Sequence, residues 1–366
     1  MARHHPANER IKREYFTFLR EANRMAESSV DQIAAAIALF EKSTGHRDFK
    51  KFHVNQAQKF KRQLREQINP ETGKPLAVAT IHSRLMALKA FVKWLADKPG
   101  YKSRIAYSDA EYFNDSANDE RVAKAVRQKP APTLEQIRLA LDAMPAGTIL
   151  ERRDRAVVAF IILSAARDDA AASMSLRNID LERRTVDHDA RTVRTKRRKS
   201  FVSTFFPVGD DIENIVRRWI KELKDDQHFG PDDPLFPATE LGFDANKHFA
   251  PIGLTRRHWS SATAIRKIFR EAFERAGLPY FNPHSFRNTL TALGQQRCQS
   301  PEEYKAWSQN MGHEDVLTTF TSYGAVAASR QAEIMARLCH AKDDAEAGQI
   351  DQETRRVLEK LLKRTG

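Results

Sequence analysis

The sequence predicts a mainly α-helical protein of two domains, the second of which carries a small antiparallel sheet. Three observations support this fold class. The 366 residues have room for about two domains of ~150 residues each. Apolar residues recur at helical spacing through the first quarter of the chain. β-Rich alternation is confined to one short region of the second half.

The first domain is predicted to be helical from residue 9 to residue 98. In its last helix Leu85, Leu88, Val92 and Leu95 recur at helical spacing, which is typical of a helix with one buried face. No strand pattern interrupts this region. The first domain is therefore expected to be a helical bundle.

A linker is predicted after this bundle, because a polar, acidic passage leads to Pro130 and Pro132, which disfavour a continuous helix. A helix then starts at Thr133, where Thr133 and Gln136 have the spacing of a capping box. The predicted divisions are a first domain at 1–113, a linker at 114–130, a second domain at 131–335 and a helical tail at 336–366.

In the second domain, residues 154–166 are apolar on every side, so they predict a fully buried helix. Residues 185–194 and 201–208 alternate or are β-rich with a basic turn between them, which favours a β-hairpin. From Ile212 helices are expected to continue, with loops, to the end of the chain.

The charge balance points to a polyanionic partner. The chain has 61 Lys and Arg against 48 Asp and Glu, a net charge of +13. Nucleic acid is the first partner to consider and an anionic membrane surface the second. For any single cation a solvated surface position is equally open. The candidate DNA-binding residues are Lys59, Lys61, Arg62, Arg65, Arg84, Lys89, Lys93, Arg194, Arg197 and Arg198.

Several protein classes are disfavoured. The longest apolar run, residues 156–166, is shorter than the ~20 residues of a membrane span, and the N-terminus lacks the apolar segment of a signal peptide. Cys298 and Cys339, the only cysteines, form no CxxC motif or Cys/His cluster, so neither a disulfide scaffold nor a thiolate metal site is expected. A cytoplasmic protein without a membrane partner fits best.

Two HxxR patterns occur, and they differ in their predicted structure. His284 and Arg287 lie in a predicted helix, where a spacing of three residues places both on one face. His188 and Arg191 lie in the predicted hairpin, where the same spacing sends side chains to opposite faces. Only the helical copy is expected to form a convergent anion site.

Further candidates follow from their positions. Arg167 comes directly after the buried helix, where an anion site and a structural ion pair with Asp168 or Asp169 are both open. The segment MGHEDVLTTFTSYG adds His313 and, ten residues later, Tyr323. The basic hairpin turn is also well shaped to enter a DNA groove.

The order of Arg, hairpin Lys, HxxR, GH and Tyr resembles the tyrosine recombinase (phage integrase) family. The resemblance covers roughly residues 131–330 and implies the fold of DNA breaking-rejoining enzymes. The helical region before it resembles the core-binding (SAM-like) domain of that family. The resemblance over residues 131–330 implies a catalytic set of Arg167, Lys196, His284, Arg287, His313 and the nucleophile Tyr323.

The resemblance leaves one lysine open and includes two departures. Lys196 matches the hairpin lysine of the family when residues are counted forward from Val193, whereas Lys199 fits that position better when they are counted back from Pro207. Lys199 therefore stays an alternative to Lys196. Ala170 stands where the family usually has an acidic residue, and Asp168 or Asp169 is expected to do that structural work. The interval from His313 to the tyrosine is ten residues instead of nine, which we attribute to a bulge or a longer turn.

The resemblance implies a site-specific recombinase that cleaves and rejoins DNA through a 3′-phosphotyrosyl intermediate, for integration, excision or resolution. Neither a cofactor nor a metal is required. The implied partners are double-stranded recombination sites and a homotetramer on DNA, with a monomer or dimer when free. The tail at 336–366 is expected to dock on a neighbouring protomer or, equally, to fold back on its own domain. A cytoplasmic, nucleoid-associated location is expected.

Two alternatives remain. A type IB topoisomerase uses similar Tyr, Arg and Lys residues, although that family generally has a lysine where this chain has His284. A DNA-binding regulator that has lost catalysis is the other alternative, but such a module has no need to retain all six catalytic residue types.

Overall fold

The computed structural model of the chain describes residues 4–70, 72–124, 130–243 and 247–313. By its internal contacts the chain divides into two compact units, Met1–Ala125 and Val126–Gly366. We call them the N-terminal unit and the C-terminal unit. Within the described ranges, no helix combines the length and apolarity that crossing a bilayer requires.

The N-terminal unit is helical, as predicted. A core of buried aromatic and aliphatic side chains holds it together, and the Phe40 ring contacts those of Phe60 and Phe113 at centroid distances of 5.4 and 5.5 Å. Its described helices are α1 (Pro6–Glu21), α2 (Glu27–Ser43), α3 (Val54–Glu66), α4 (Val78–Ala96) and α5 (Ala117–Lys124), with short 3-10 turns at Phe49–Lys51 and Tyr107–Phe113.

Part of the segment predicted as a linker belongs to this unit. Helix α5 lies within residues 114–130 and packs against α4. The fully buried Phe113 anchors the chain just before it, and Asp119 in α5 pairs with Arg65 at 2.6 Å. The acidic composition that suggested a linker is therefore explained by contacts with basic residues of the bundle.

The C-terminal unit surrounds the predicted buried helix. Every residue from Ala156 to Ser164 is buried, which confirms that prediction. Thr133 and Gln136 form the predicted capping box. The described elements are α6 (Leu134–Ala143), α7 (Ile149–Ser164), α8 (Asp168–Ala171), β1 (Ile179–Asp180), β2 (Thr185–Asp187), β3 (Val202–Thr204), α9 (Asp210–Asp225), β4 (Pro237–Phe243), β5 (Phe249–His258), α10 (Thr263–Arg275), α11 (Ser285–Arg297) and α12 (Pro301–Asn310).

The predicted hairpin is present, with shorter strands than expected. Strands β2 and β3 pair antiparallel, with Val186 opposite Ser203, and β1 adds a third strand in the order β1-β2-β3. The residues between β2 and β3 form a long connection that contains a 3-10 turn at Lys196–Arg198. This connection carries both predicted catalytic lysines, Lys196 and Lys199.

A second hairpin corrects the prediction of helices from Ile212 onward. Strands β4 and β5 form an antiparallel ribbon, and Phe243 and Phe249 near its end are both exposed. A ribbon that is largely exposed on both faces has no regular alternation of apolar and polar residues, so the usual pattern of a half-buried strand is missing.

Helices α11 and α12 are held together by a close contact. The indole nitrogen of Trp307 donates to the carbonyl of Leu290 at 3.0 Å. A side chain at Gly294 would lie 2.7 Å from that indole, so the glycine allows α12 to approach α11. This packing sets where Met311, Gly312 and His313, which directly follow α12, lie relative to α11.

Candidate active site

Arg167 is positioned by the way α7 ends. Ala165 adopts a left-handed conformation with φ of +56° at the C-cap of α7, and Arg167 is then the N-cap of the short helix α8. The Arg167 side chain is half-buried, and this burial lowers the pKa of its guanidinium. Within the described residues, that guanidinium takes part in no hydrogen bond or ion pair.

The two aspartates beside Arg167 have other partners. Asp168 accepts from Nε of Arg266 at 2.8 Å, and Asp169 accepts from Nε of Arg194 at 3.0 Å. Neither aspartate therefore pairs with Arg167, so the predicted alternative of a structural ion pair is wrong. Instead they join the start of α8 to α10 and to the β2–β3 connection.

Arg287, in the first turn of α11, is the most firmly held cation of the site. It is only 4% exposed. Its Nη1 donates to the carbonyl of Ala165 at 2.5 Å, and its Nη2 donates to the carbonyl of Met311 at 2.6 Å and to Nε2 of His313 at 2.9 Å. Because a guanidinium can only donate, Nε2 of His313 accepts, and the ring proton of His313 is on Nδ1.

His313 is neutral at pH 7 because its pKa is lowered to about 4. Burial is the largest cause, followed by the positive charges of Arg287 and Arg167 and then by His284 and Lys199. Four side chains from three segments of the chain thus act on one imidazole. The structure thereby brings together Arg167, His284, Arg287, His313 and Lys199.

The two hairpin lysines have different surroundings. Lys196 is exposed and lies in the 3-10 turn at Lys196–Arg198. Lys199 is half-buried, and its charge is among those that act on His313. Lys199, which fits the family's hairpin lysine better when counted back from Pro207, is therefore the lysine whose charge acts on His313.

The second HxxR pattern does not converge, in agreement with the prediction, but its histidine lies at the site. Arg191 is exposed and paired with Asp189 at 2.8 Å. His188 is buried, and burial together with the charges of Arg287 and Arg167 lowers its pKa to about 3. Sequence reasoning missed this position. The signal was available, since His188 follows the apolar Val186 by two residues and so lies on the same face of a strand that continues from it.

Some predicted residues cannot be placed. Tyr323 lies outside the described residues, as does the predicted tail at 336–366. Within the part of the chain that is described, no cluster of three or more His, Cys, Asp or Glu side chains is arranged to hold a metal ion.

Many of the predicted DNA-binding residues of the N-terminal unit are paired with its own acidic segment. Glu111 binds both Lys89 and Lys93 at 2.7 Å, and these bonds lower the pKa of the Glu111 carboxyl to about 2. Arg65 pairs with Asp119, and Lys61 donates to the carbonyl of Asn114 at 2.9 Å.

The remaining basic candidates vary in their contacts. Lys59 and Arg62 are exposed and form no ion pair within the described residues. Arg84 donates to Oε1 of Gln67 at 3.4 Å, and Arg198 is exposed. In the hairpin, Arg194 pairs with Asp169 and also donates to the carbonyl of Trp259 at 3.0 Å.

Comparison with known proteins identifies a related family. The model of the phage integrase family matches residues 133–330, which is more than half of the chain. No curated protein matches by sequence.

Solved structures share the fold at low sequence identity. A lambda integrase dimer bound to a COC′ core site has a TM-score of 0.57 and 10% identity, covering 87% of this chain and 97% of that chain. XerH bound to a palindromic difH substrate has a TM-score of 0.57 and 14% identity, covering 89% and 84%. Tn1549 transposon integrase in complex with transposon right end DNA has a TM-score of 0.55 and 14% identity, covering 90% and 99%.

Proposed function

The chain belongs to the phage integrase family, and from this membership we propose the steps by which it cleaves and rejoins DNA. It is a tyrosine-type site-specific DNA recombinase. The observation that carries the proposed chemistry is the group of Arg167, Arg287, His313 and Lys199, in which the half-buried Arg167 lacks an anionic partner within the described residues. A scissile phosphate is the anion that such a group suits.

The two arginines would bind the phosphate. Both guanidinium groups stay charged, and that of Arg167, which has no hydrogen-bond partner among the described residues, can donate two parallel hydrogen bonds to phosphate oxygens. Arg287 is already oriented by two carbonyls, so it needs little reorganisation when negative charge develops on the phosphorane. The Nδ1–H of the neutral His313 can donate a further bond to that charge.

Tyr323 would be the nucleophile. Its phenol oxygen attacks phosphorus and the bond from phosphorus to the 5′-oxygen breaks, which gives a 3′-phosphotyrosyl enzyme and a 5′-hydroxyl. A phenol with a pKa of about 10 needs a cationic site to favour its phenolate. His284, exposed at the start of α11, is the candidate to receive the phenol proton. Reverse attack by the 5′-hydroxyl of a partner strand completes strand transfer.

The leaving 5′-oxygen needs a proton, and we infer that Lys199 supplies it as general acid. The support for Lys199 over Lys196 is its half-buried position and the effect of its charge on His313. Lys196, exposed in the 3-10 turn, remains the competing assignment.

Trapping of the covalent adduct tests the nucleophile. A duplex recovered from a random library by binding to the full chain, here called the selected site, would be nicked near the scissile position and incubated with the protein. A denaturing gel should reveal a protein–DNA adduct for the wild type and for the matched control Ser322→Ala. Tyr323→Phe should form none, and an adduct from that variant would show that another residue attacks.

The assembly on DNA is a further part of the proposal. In the compared structures a lambda integrase dimer is bound to a COC′ core site and XerH is bound to a palindromic difH substrate. We infer that four protomers of this chain bring two DNA duplexes together and that they act on DNA in the nucleoid. The segment at 336–366 would dock on a neighbouring protomer. Truncation after Ala341 should abolish synapsis of two selected sites on a native gel, and unchanged tetramer formation would exclude the docking role.

A further inference from the structure

One side chain fastens the end of α12 to the edge of the three-stranded sheet. Asn310, the last residue of α12, donates from Nδ2 to the carbonyl of Thr204 at 2.8 Å, and its Oδ1 accepts from the amide of Thr204 at 2.6 Å. Because β3 is an edge strand, the side-chain amide takes the place of a neighbouring strand. The two bonds join positions 106 residues apart in the sequence.

A second contact links the same two segments. Gly312 has a φ of +71°, and a Cβ at this position would lie 2.5 Å from the Phe201 ring. The Phe201 ring therefore occupies space that only glycine leaves open. The ring also stacks on His188, with centroids 4.1 Å apart and planes 5° apart, and the Phe201 carbonyl accepts from the amide of His188 at 2.9 Å.

Both contacts lie next to proposed catalytic groups. Phe201 follows Lys199 by two residues, and Gly312 directly precedes His313. Asn310 and Thr204 belong to the same two segments. The connection that carries Lys199 and the turn that carries His313 are thus joined at two points, one polar and one aromatic.

We propose that Asn310 and Phe201 are positioning residues, which hold Lys199 at the leaving oxygen while Arg287 and His313 bind the phosphate. The inference rests on the proposed function, in which Lys199 is the general acid. A general acid works only within about 2.6–3.2 Å of the atom that it protonates. A lysine side chain is long and flexible, so the anchoring of its backbone decides how often it reaches that distance.

A sulfur-substituted substrate separates this role from a structural one. When the bridging 5′-oxygen is replaced by sulfur, the leaving group is a thiolate, which is a much weaker base than an alkoxide and needs no proton. Loss or displacement of the general acid then has little effect on cleavage. The probes are two nicked duplexes of the selected site, one with oxygen and one with sulfur at the bridging position.

Single-turnover cleavage by the full chain gives the decisive ratio. Asn310→Ala and Phe201→Ala should each slow the oxygen substrate about 10-fold, a part of the 10²–10⁴-fold that a general acid contributes. Both should cleave the sulfur substrate at nearly the wild-type rate. The matched control is Gln309→Ala, an exposed neighbour on α12, which should leave both rates unchanged.

A further variant and the lysine itself complete the experiment. Asn310→Asp keeps one acceptor but places a second oxygen against the Thr204 carbonyl, so it should behave as Asn310→Ala does. Suppose that sulfur restores cleavage by Lys199→Ala, as the general-acid role requires. The positioning role would then be overturned if the Asn310 and Phe201 variants slowed both substrates equally, or slowed neither. If sulfur fails to restore Lys199→Ala, the general-acid assignment is wrong and the inference falls with it.

Discussion

The basic helices of the N-terminal unit and the site arginine Arg287 of the C-terminal unit are held by different kinds of partner. In the N-terminal unit, Glu111 and Asp119 supply carboxylates to the basic faces of α3 and α4. In the C-terminal unit, Arg287 is held by two backbone carbonyls and by the neutral His313. A carboxylate cancels the charge of a cation, whereas a carbonyl orients the cation and leaves its net charge in place.

This difference suits two different tasks. Exposed ion pairs contribute only about 0–1 kcal/mol each, so a lysine such as Lys89 can exchange its carboxylate for a DNA phosphate at small cost. A buried guanidinium that is already oriented stabilises charge that develops only in the transition state. Binding strength would therefore be adjusted in the first unit and catalysis carried out in the second.

The largest effect on cleavage should come from the two site arginines, which should differ in their effect on thermal stability. Arg167→Ala and Arg287→Ala should each lower the single-turnover cleavage rate by about 10²–10³-fold, the usual loss for one charge-stabilising donor. Arg287→Ala should also lower the thermal midpoint, because the unpaired carbonyls of Ala165 and Met311 cost about 1–3 kcal/mol each. Arg167→Ala should leave the midpoint unchanged.

Cleavage rates and thermal unfolding measured side by side check this expectation. Arg266→Ala, which removes an exposed partner of Asp168, is a control for the loss of a guanidinium beside α8. An equal fall in the midpoint for Arg167→Ala would mean that its guanidinium is held as Arg287 is.

The neutral histidines among the cations predict a loss of stability in acid. The pKa of His313 is lowered to about 4 and that of His188 to about 3, whereas an unfolded histidine titrates near 6.5. As the pH falls from 6.5 to 4, the unfolded state binds protons that the folded state does not. The free energy of unfolding should then fall by up to about 1.4 kcal/mol per pH unit for each histidine.

Urea unfolding between pH 7.5 and 4.5 measures this slope. His188→Gln, which removes one titrating group, should make the slope shallower. His228→Asn changes an exposed histidine instead and should leave it unchanged. A slope that His188→Gln does not alter would contradict the buried, neutral state of His188.

Removal of one carboxylate from the N-terminal unit should strengthen DNA binding by a smaller factor. Glu111→Gln frees Lys89 and Lys93, so the affinity for a random-sequence duplex at low salt should rise by up to about 10-fold, with a steeper salt dependence. Glu27→Gln changes the net charge equally but frees only Arg20. Fluorescence anisotropy over a salt series compares the two. Equal strengthening by both variants would mean that this face does not contact DNA.

The smallest effect should be the loss of DNA affinity when a single cation of the N-terminal unit is removed, and it should be larger for Arg62, which forms no ion pair among the described residues, than for the paired Lys89. Arg62→Ala should weaken duplex binding about two- to threefold and lower the salt slope by about 1. Lys89→Ala should have less effect, because Glu111 already shares the charge of Lys89. The same anisotropy series tests both variants, and a larger loss for Lys89→Ala would reverse this ranking.

Much of the fold followed from local patterns. Helical spacing predicted the N-terminal bundle, and an unbroken apolar run predicted the buried part of α7. The ribbon of β4 and β5 was missed because a largely exposed hairpin lacks the alternation on which strand prediction relies. The helix α5 was missed because a short polar, acidic segment is typical of a linker, and its basic partners lie far away in the sequence.

The candidate site divides in the same way. Residue types and spacing were enough to single out Arg167, His284, Arg287 and His313, and the family resemblance named their roles. Lys199 could not be preferred over Lys196, because the two counts, from Val193 and from Pro207, disagree across a connection of irregular length. The conformation of that connection depends on packing, including the contact between Phe201 and Gly312.

By itself, therefore, the sequence determined most of the helices, the short hairpin, the excess of positive charge and the set of chemical groups. Tertiary structure alone decided which of these groups meet. The carbonyls that orient Arg287 come from positions 122 and 24 residues away. The carboxylates that cover the basic helices likewise come from a distant segment. Contacts between distant segments depend on how whole elements pack, and no local spacing in the chain encodes them.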